Sequence, residues 1–68
     1  MNYTIGRKYS VAHRRRGNFT IELTSHSEIW ADGVVLSIKT KPDIETNEVE
    51  VGQEICLNLA LCRLTLIE

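Results

Sequence analysis

Three groups of residues in this sequence carry side chains that can do chemistry. The first is Ser25-His26-Ser27-Glu28, two hydroxyls, an imidazole and a carboxylate in consecutive positions. Nucleophilic catalysis needs these groups arranged as a nucleophile, a base and an orienting partner. Neighbours on a turn point apart, however, and no glycine elbow or phosphate-binding loop accompanies them, so the expectation is that the chain is not an enzyme. The second is the metal-ligand set His13, His26, Cys56 and Cys62. Structural zinc favours cysteine pairs with about two to four intervening residues, and Cys56 and Cys62 are spaced more widely, so no metal or other cofactor is expected and the thiols read as buried in an apolar strand. The third is Arg14-Arg15-Arg16. A guanidinium grips phosphate or carboxylate with two parallel hydrogen bonds where lysine offers a point charge. Phosphate contact alone gives salt-sensitive binding with no sequence preference.

The formal net charge of −1 hides a separation of signs. Residues 1–16 hold Arg7, Lys8, Arg14, Arg15 and Arg16 and no acid, whereas residues 43–54 hold Asp43, Glu45, Glu48, Glu50 and Glu54 and no base. Such segments can pair with each other or present two different faces, although the ordinary role of surface charge is solvation. The acidic balance argues against a dedicated nucleic-acid binder, which is usually basic. The acidic run can instead mimic a nucleic-acid backbone and occlude a basic groove on a partner. Trp30 lies beside Asp32-Gly33 at an expected strand end, where a large amphipathic side chain either caps the core or anchors an interface. The candidate partner-contacting residues are therefore Arg14, Arg15, Arg16, Lys8, Trp30, Glu45, Glu48 and Glu50.

Strands must position these groups. Ile5 to His13 alternates and reads as a strand; Arg14 to Asn18 breaks the pattern and holds the turn signal Gly17-Asn18. Phe19, Ile21 and Leu23 then alternate strictly with Thr20, Glu22 and Thr24, which predicts a strand with those three side chains facing a core, since a slip of one residue would turn all of them into water. Asp32-Gly33 is a hairpin signal that would join a short strand at Glu28–Ala31 to a longer one at Val34–Thr40; the alternative is a bulge inside one curved strand. Pro42 ends that element, and Lys41 to Asn47 reads as a polar loop or a short helical turn. In the last run the apolar parity changes after Leu61, which fits two strands, Glu54–Leu59 and Arg63–Ile67, joined by one tight 3₁₀-like turn. A helix competes there, because Ile55, Leu59, Cys62 and Leu66 also share one helical face.

A chain of 68 residues is one domain. At this size only about 60% of the unfolded surface is buried, so the core is thin, and a catalytic cleft of roughly 300–1,000 Å³ would need walls from a second copy or a partner. Ile55 to Ile67 is the most apolar stretch and is too short and too polar at Asn58, Arg63 and Thr65 to span a membrane, which takes about 20 apolar residues. No secretory leader is legible, and two cysteines do not make a secreted disulfide framework, so a cytoplasmic protein is expected. Open strand edges also make a homo-oligomer an expected partner state.

The expected architecture is all-β: five to six short antiparallel strands in one domain. Two features make it resemble the small SH3-like barrels: a strand, basic loop and strand over Lys8 to Leu23, and Val51-Gly52-Gln53-Glu54-Ile55 as the turn before a closing strand. The stretch His13-Arg14-Arg15-Arg16-Gly17-Asn18-Phe19 resembles one found in short accessory proteins of bacteriophages and other mobile elements. That resemblance implies a non-enzymatic role in the host cytoplasm, binding and inhibiting a host or defence protein or a nucleoprotein complex, with naked nucleic acid the alternative partner.

Overall fold

The computed structural model describes residues 3–39 and 49–67. Within them the chain is all-β: β1 (Lys8–His13), β2 (Gly17–His26), β3 (Trp30–Ile38), β4 (Glu54–Asn58) and β5 (Cys62–Leu66) form one antiparallel sheet in the order β4-β3-β2-β1-β5. The run after Gln53 is the expected pair of strands and not a helix. No described helix is long and apolar enough to cross a membrane.

The strict alternation in β2 fixes the core. Phe19, Ile21 and Leu23 are fully buried, joined by Tyr9 and Val11 from β1, Ala31 and Val35 from β3, Ile55 and Leu57 from β4, and Leu64 from β5. The parity change after Leu61 is resolved as the spacing predicts. Leu57 and Leu64 both face inward, and Leu59, Ala60 and Leu61 form the turn between them, closed by the Leu61 N–H donating to the Asn58 carbonyl at 2.9 Å. β4 and β5 are consecutive in sequence yet lie on opposite edges of the sheet. A three-residue link can reach between the edges only if the sheet curls strongly. The two edges do not pair, so the barrel is not closed.

Three expectations are corrected. Asp32-Gly33 makes no hairpin: both residues sit inside the single strand β3, which starts at Trp30, and both are paired with β2 on one side and β4 on the other. The ladder is irregular on either side, with Thr24 as an extra residue on β2 and Leu36 as an extra residue on β3. Such bulges bend and twist a strand, which curls the sheet. Gly33 is required there for space. A Cβ at this position would lie 2.8 Å from the Glu22 carbonyl oxygen and 2.8 Å from Ile21 Cδ1. The first strand begins at Lys8, because Ile5 and Gly6 form a turn whose Gly6 N–H donates to the Leu23 carbonyl at 2.8 Å. Finally, Cys56 is exposed, since Ile55 and Leu57 take the inward positions of β4 and leave Cys56 outside. Pro42, Lys41 to Asn47, Glu45 and Glu48 lie outside the described residues.

Candidate functional site: three turns at one corner

The arginines occupy the turn between β1 and β2. His13 pairs with Gly17, leaving Arg14, Arg15 and Arg16 as a three-residue loop. Such loops place a type I turn before a left-handed residue, and Gly17 supplies it with φ 81°. The His13 ring completes the turn: its Nδ1 accepts the backbone N–H of Arg15 and of Arg16, each at 3.1 Å. Two bonds to one ring nitrogen require that nitrogen to be unprotonated. Partial burial lowers the His13 pKa below its ordinary 6.5, and the charges of Arg16 and Arg15 push it the same way.

The other two turns are pinned by the same device. In the β4–β5 turn, Asn58 Oδ1 accepts the Ala60 N–H at 2.9 Å, and the Asn58 carbonyl accepts the Cys62 thiol at 3.4 Å. In the β2–β3 turn, Ser27 Oγ accepts the Trp30 N–H at 3.2 Å and the Ser27 N–H donates to the Trp30 carbonyl at 2.8 Å. Short polar side chains that bond backbone a few residues ahead are a general means of fixing turns.

Backbone hydrogen bonds join these turns side by side. The Arg14 N–H donates to the Leu61 carbonyl at 3.1 Å, and the Leu59 N–H donates to the Ile29 carbonyl at 2.9 Å. The Leu59-Ala60-Leu61 link thus bridges the arginine turn to the turn that carries Ile29 and Trp30. Large apolar groups stand exposed along the bridge: Ile29 is 62% exposed, Trp30 43% and Leu61 41%. A hollow of about 310 Å³ lies on the arginine side, lined by His13, Arg14, Arg15 and Leu61. On the other side a groove of about 550 Å³ runs between Ile29, Leu59 and the Tyr3 ring. Tyr3 is held there by edge-on contacts with the Tyr9 and His26 rings, at 5.5 and 5.9 Å between centroids.

The structure therefore joins the turn of Arg14, Arg15 and Arg16 through the Leu59–Leu61 bridge to the turn that leads into Trp30, lines one hollow with Arg14, Arg15 and Leu61, and places other candidates elsewhere. Lys8 sits at the start of β1 opposite Glu22. Glu50 is exposed beyond the other end of β4, in a turn where the Gln53 side chain accepts its N–H at 3.0 Å. Ile29, Leu61 and the pinning residues His13, Ser27 and Asn58 are additions to the sequence reading. Their signal was present, since each pinning residue stands at or just before a turn, but which turns meet depends on how the sheet curls.

The remaining polar groups are engaged locally. Ser25 Oγ donates to Asp32 Oδ2 at 2.7 Å, and the Cys56 thiol also bonds Asp32. These bonds lower the Asp32 pKa and raise that of Cys56, so the thiol is held protonated and poorly nucleophilic. Comparison with protein-family models, curated proteins and solved structures finds no match for this chain.

Proposed function

We propose that this chain is a non-enzymatic accessory module that binds another macromolecule, a protein or the protein part of a nucleoprotein complex, and inhibits it by occupying its surface. The observation that carries this reading is the joining of the arginine turn to the exposed Leu61, Ile29 and Trp30 through the Leu59–Leu61 bridge. Interfaces are enriched in aromatic residues and arginine at their energetic centres, and an apolar strip with guanidinium groups at one end fits a partner surface that offers an apolar anchor beside carboxylates. The turns are pinned in advance, so little ordering cost falls on binding. A phage or mobile-element source, a place among the SH3-like barrels and action in the host cytoplasm belong to the same reading. They are supported by the stretch His13 to Phe19 and by a curled five-strand sheet with a tight turn before its last strand.

The test is site-specific photo-crosslinking from positions 29 and 61 in bacterial cells. The reading expects one protein captured from both positions, and its loss when Arg14 and Arg15 are both replaced by Glu. Capture that is unchanged by that reversal, or that is equal from an exposed position far from the corner such as Val51, would overturn it.

A further inference from the structure

The outer face of β5, β1 and β2 has a different chemistry from the corner. Residues paired directly across antiparallel strands present their side chains on the same face. One such row reads Thr65, Ser10, Thr20 and Ser37 across β5, β1, β2 and β3, four hydroxyls side by side. Thr65 and Ser37 are exposed, Ser10 is half-buried and Thr20 is 8% exposed. Strands stand about 4.8 Å apart, so the row spans roughly 14 Å. The next row toward the arginine turn reads Arg63, Ala12 and Asn18. Lys39 follows at the end of β3, its N–H donating to the Asn18 carbonyl at 2.9 Å. Neither row contains an acid or an aromatic side chain. Among the described residues, no acidic group stands within ion-pair distance of Arg63, Lys39 or the three turn arginines. The first acid, Glu22, appears one row farther on, opposite Lys8.

We propose that this face is a nucleic-acid contact surface that grips the sugar-phosphate backbone, distinct from the corner and independent of it. Short hydroxyls, an asparagine and cations on an outward sheet face are the donor set that phosphate and sugar oxygens take up in protein–nucleic acid interfaces. A protein partner would want an apolar centre, and the two rows offer only Ala12. A lipid surface would want large apolar side chains to insert, and neither row contains one; Leu36, Leu61 and Ile67 are exposed only beside the rows. With no aromatic platform in these rows the bases are not read by stacking, so binding is salt-dependent and without sequence preference. The net charge of −1 does not oppose it, because charges farther than about 8 Å are largely screened at physiological salt.

The experiment is fluorescence anisotropy of the full chain with a labelled duplex and a labelled single strand of about 20 nucleotides, at roughly 50 mM salt and upward. Binding is expected to weaken linearly in log–log form with salt. Arg63→Glu with Lys39→Glu should weaken it at least about tenfold and flatten the slope by about two, one unit for each lost cation. Thr65→Val with Ser37→Ala should weaken it a few-fold at unchanged slope. Leu61→Ser and Ile29→Ser, which remove the apolar anchors of the corner without adding charge, should leave it intact, so the two surfaces fail separately. Circular dichroism confirms that each variant is folded. No binding to either probe at the lowest salt, native-like binding by the folded charge-reversal variant, loss in the corner variants, or preferential binding to vesicles containing phosphatidylserine would each overturn the proposal.

Discussion

The two halves of the sheet's outer face share one ladder and differ in almost everything else. Toward the β1–β2 turn, Arg63 of β5, Lys39 just past β3 and the arginine turn stand around a row of hydroxyls that runs from β5 to β3. On the β3–β4 side, Asp32 and Glu54 stand around Cys56, with Asp32 bonded to both Ser25 and the thiol. Hydrogen bonds polarise the two sides in opposite senses. A neutral imidazole organises the first by accepting from backbone, and an ionised carboxylate organises the second by accepting from side chains. The backbone ladder is thus indifferent to charge, and the outward positions of each strand are free to carry it.

The largest expected effect comes from breaking the frame both halves share. Gly33→Val places a branched side chain against the Glu22 carbonyl and Ile21, and overpacking of this kind costs about 1–3 kcal/mol. Urea unfolding should show that loss, with β2–β3 amides exchanging faster than β1–β2 amides; equal loss in both pairs would mean that the halves are not separable. Next, His13→Ala removes both bonds to the arginine turn, worth about 1 kcal/mol in a partly exposed setting. His13→Asn, which can accept the same N–H groups, should restore most of it. Faster amide exchange at Arg15 and Arg16 in the Ala variant alone is the readout.

The same contact has a pH signature. The folded pKa of His13 lies below its ordinary 6.5, so the unfolded chain binds the proton more readily. The stabilisation is complete above pH 6.5 and is lost as pH falls from there through the folded pKa. A histidine NMR titration midpoint at or above the ordinary value would contradict the pinned turn. The smallest effect is on the acidic side. Ser25→Ala or Cys56→Ala removes one donor to Asp32, and its carboxyl titration should move up toward the ordinary 3.8. The bonds here act only while Asp32 is ionised, so their contribution is present above pH 3.8 and lost as pH falls through the lowered folded value. An unmoved titration would show that these donors do not hold the carboxylate.

How far the sequence predicts this depends on whether the feature is local. Phe19, Ile21 and Leu23 declare their burial by period two, and the parity change after Leu61 declares a turn. Arg14 to Gly17 reads as a loop because arginines and a left-handed glycine suit one. Asp32-Gly33 misleads for a physical reason: the pair is favoured at two-residue turns, but here glycine answers a close approach from Ile21 and Glu22, neighbours brought there by strand pairing. The corner was half legible. Arg14 to Arg16 and Trp30 stand out by type, whereas their union through Leu59 to Leu61 follows from sheet curvature. The contrast with Cys56 is similar, since neighbouring Ile55 and Leu57 make the segment look wholly buried when only alternate positions are.

The placement of β5 against β1 sets the order in which the molecule can be assembled. Tyr9 finds Leu66 only after nearly the whole described chain is available, so the β1–β2–β3 meander must form first, from short-range contacts, with one side of β1 still seeking hydrogen bonds. Closing so long a loop is entropically slow. Until Cys62–Leu66 arrives, a second chain's strand can take its place, and crowded synthesis or truncation ahead of Cys62 would turn this domain toward self-association rather than a finished fold.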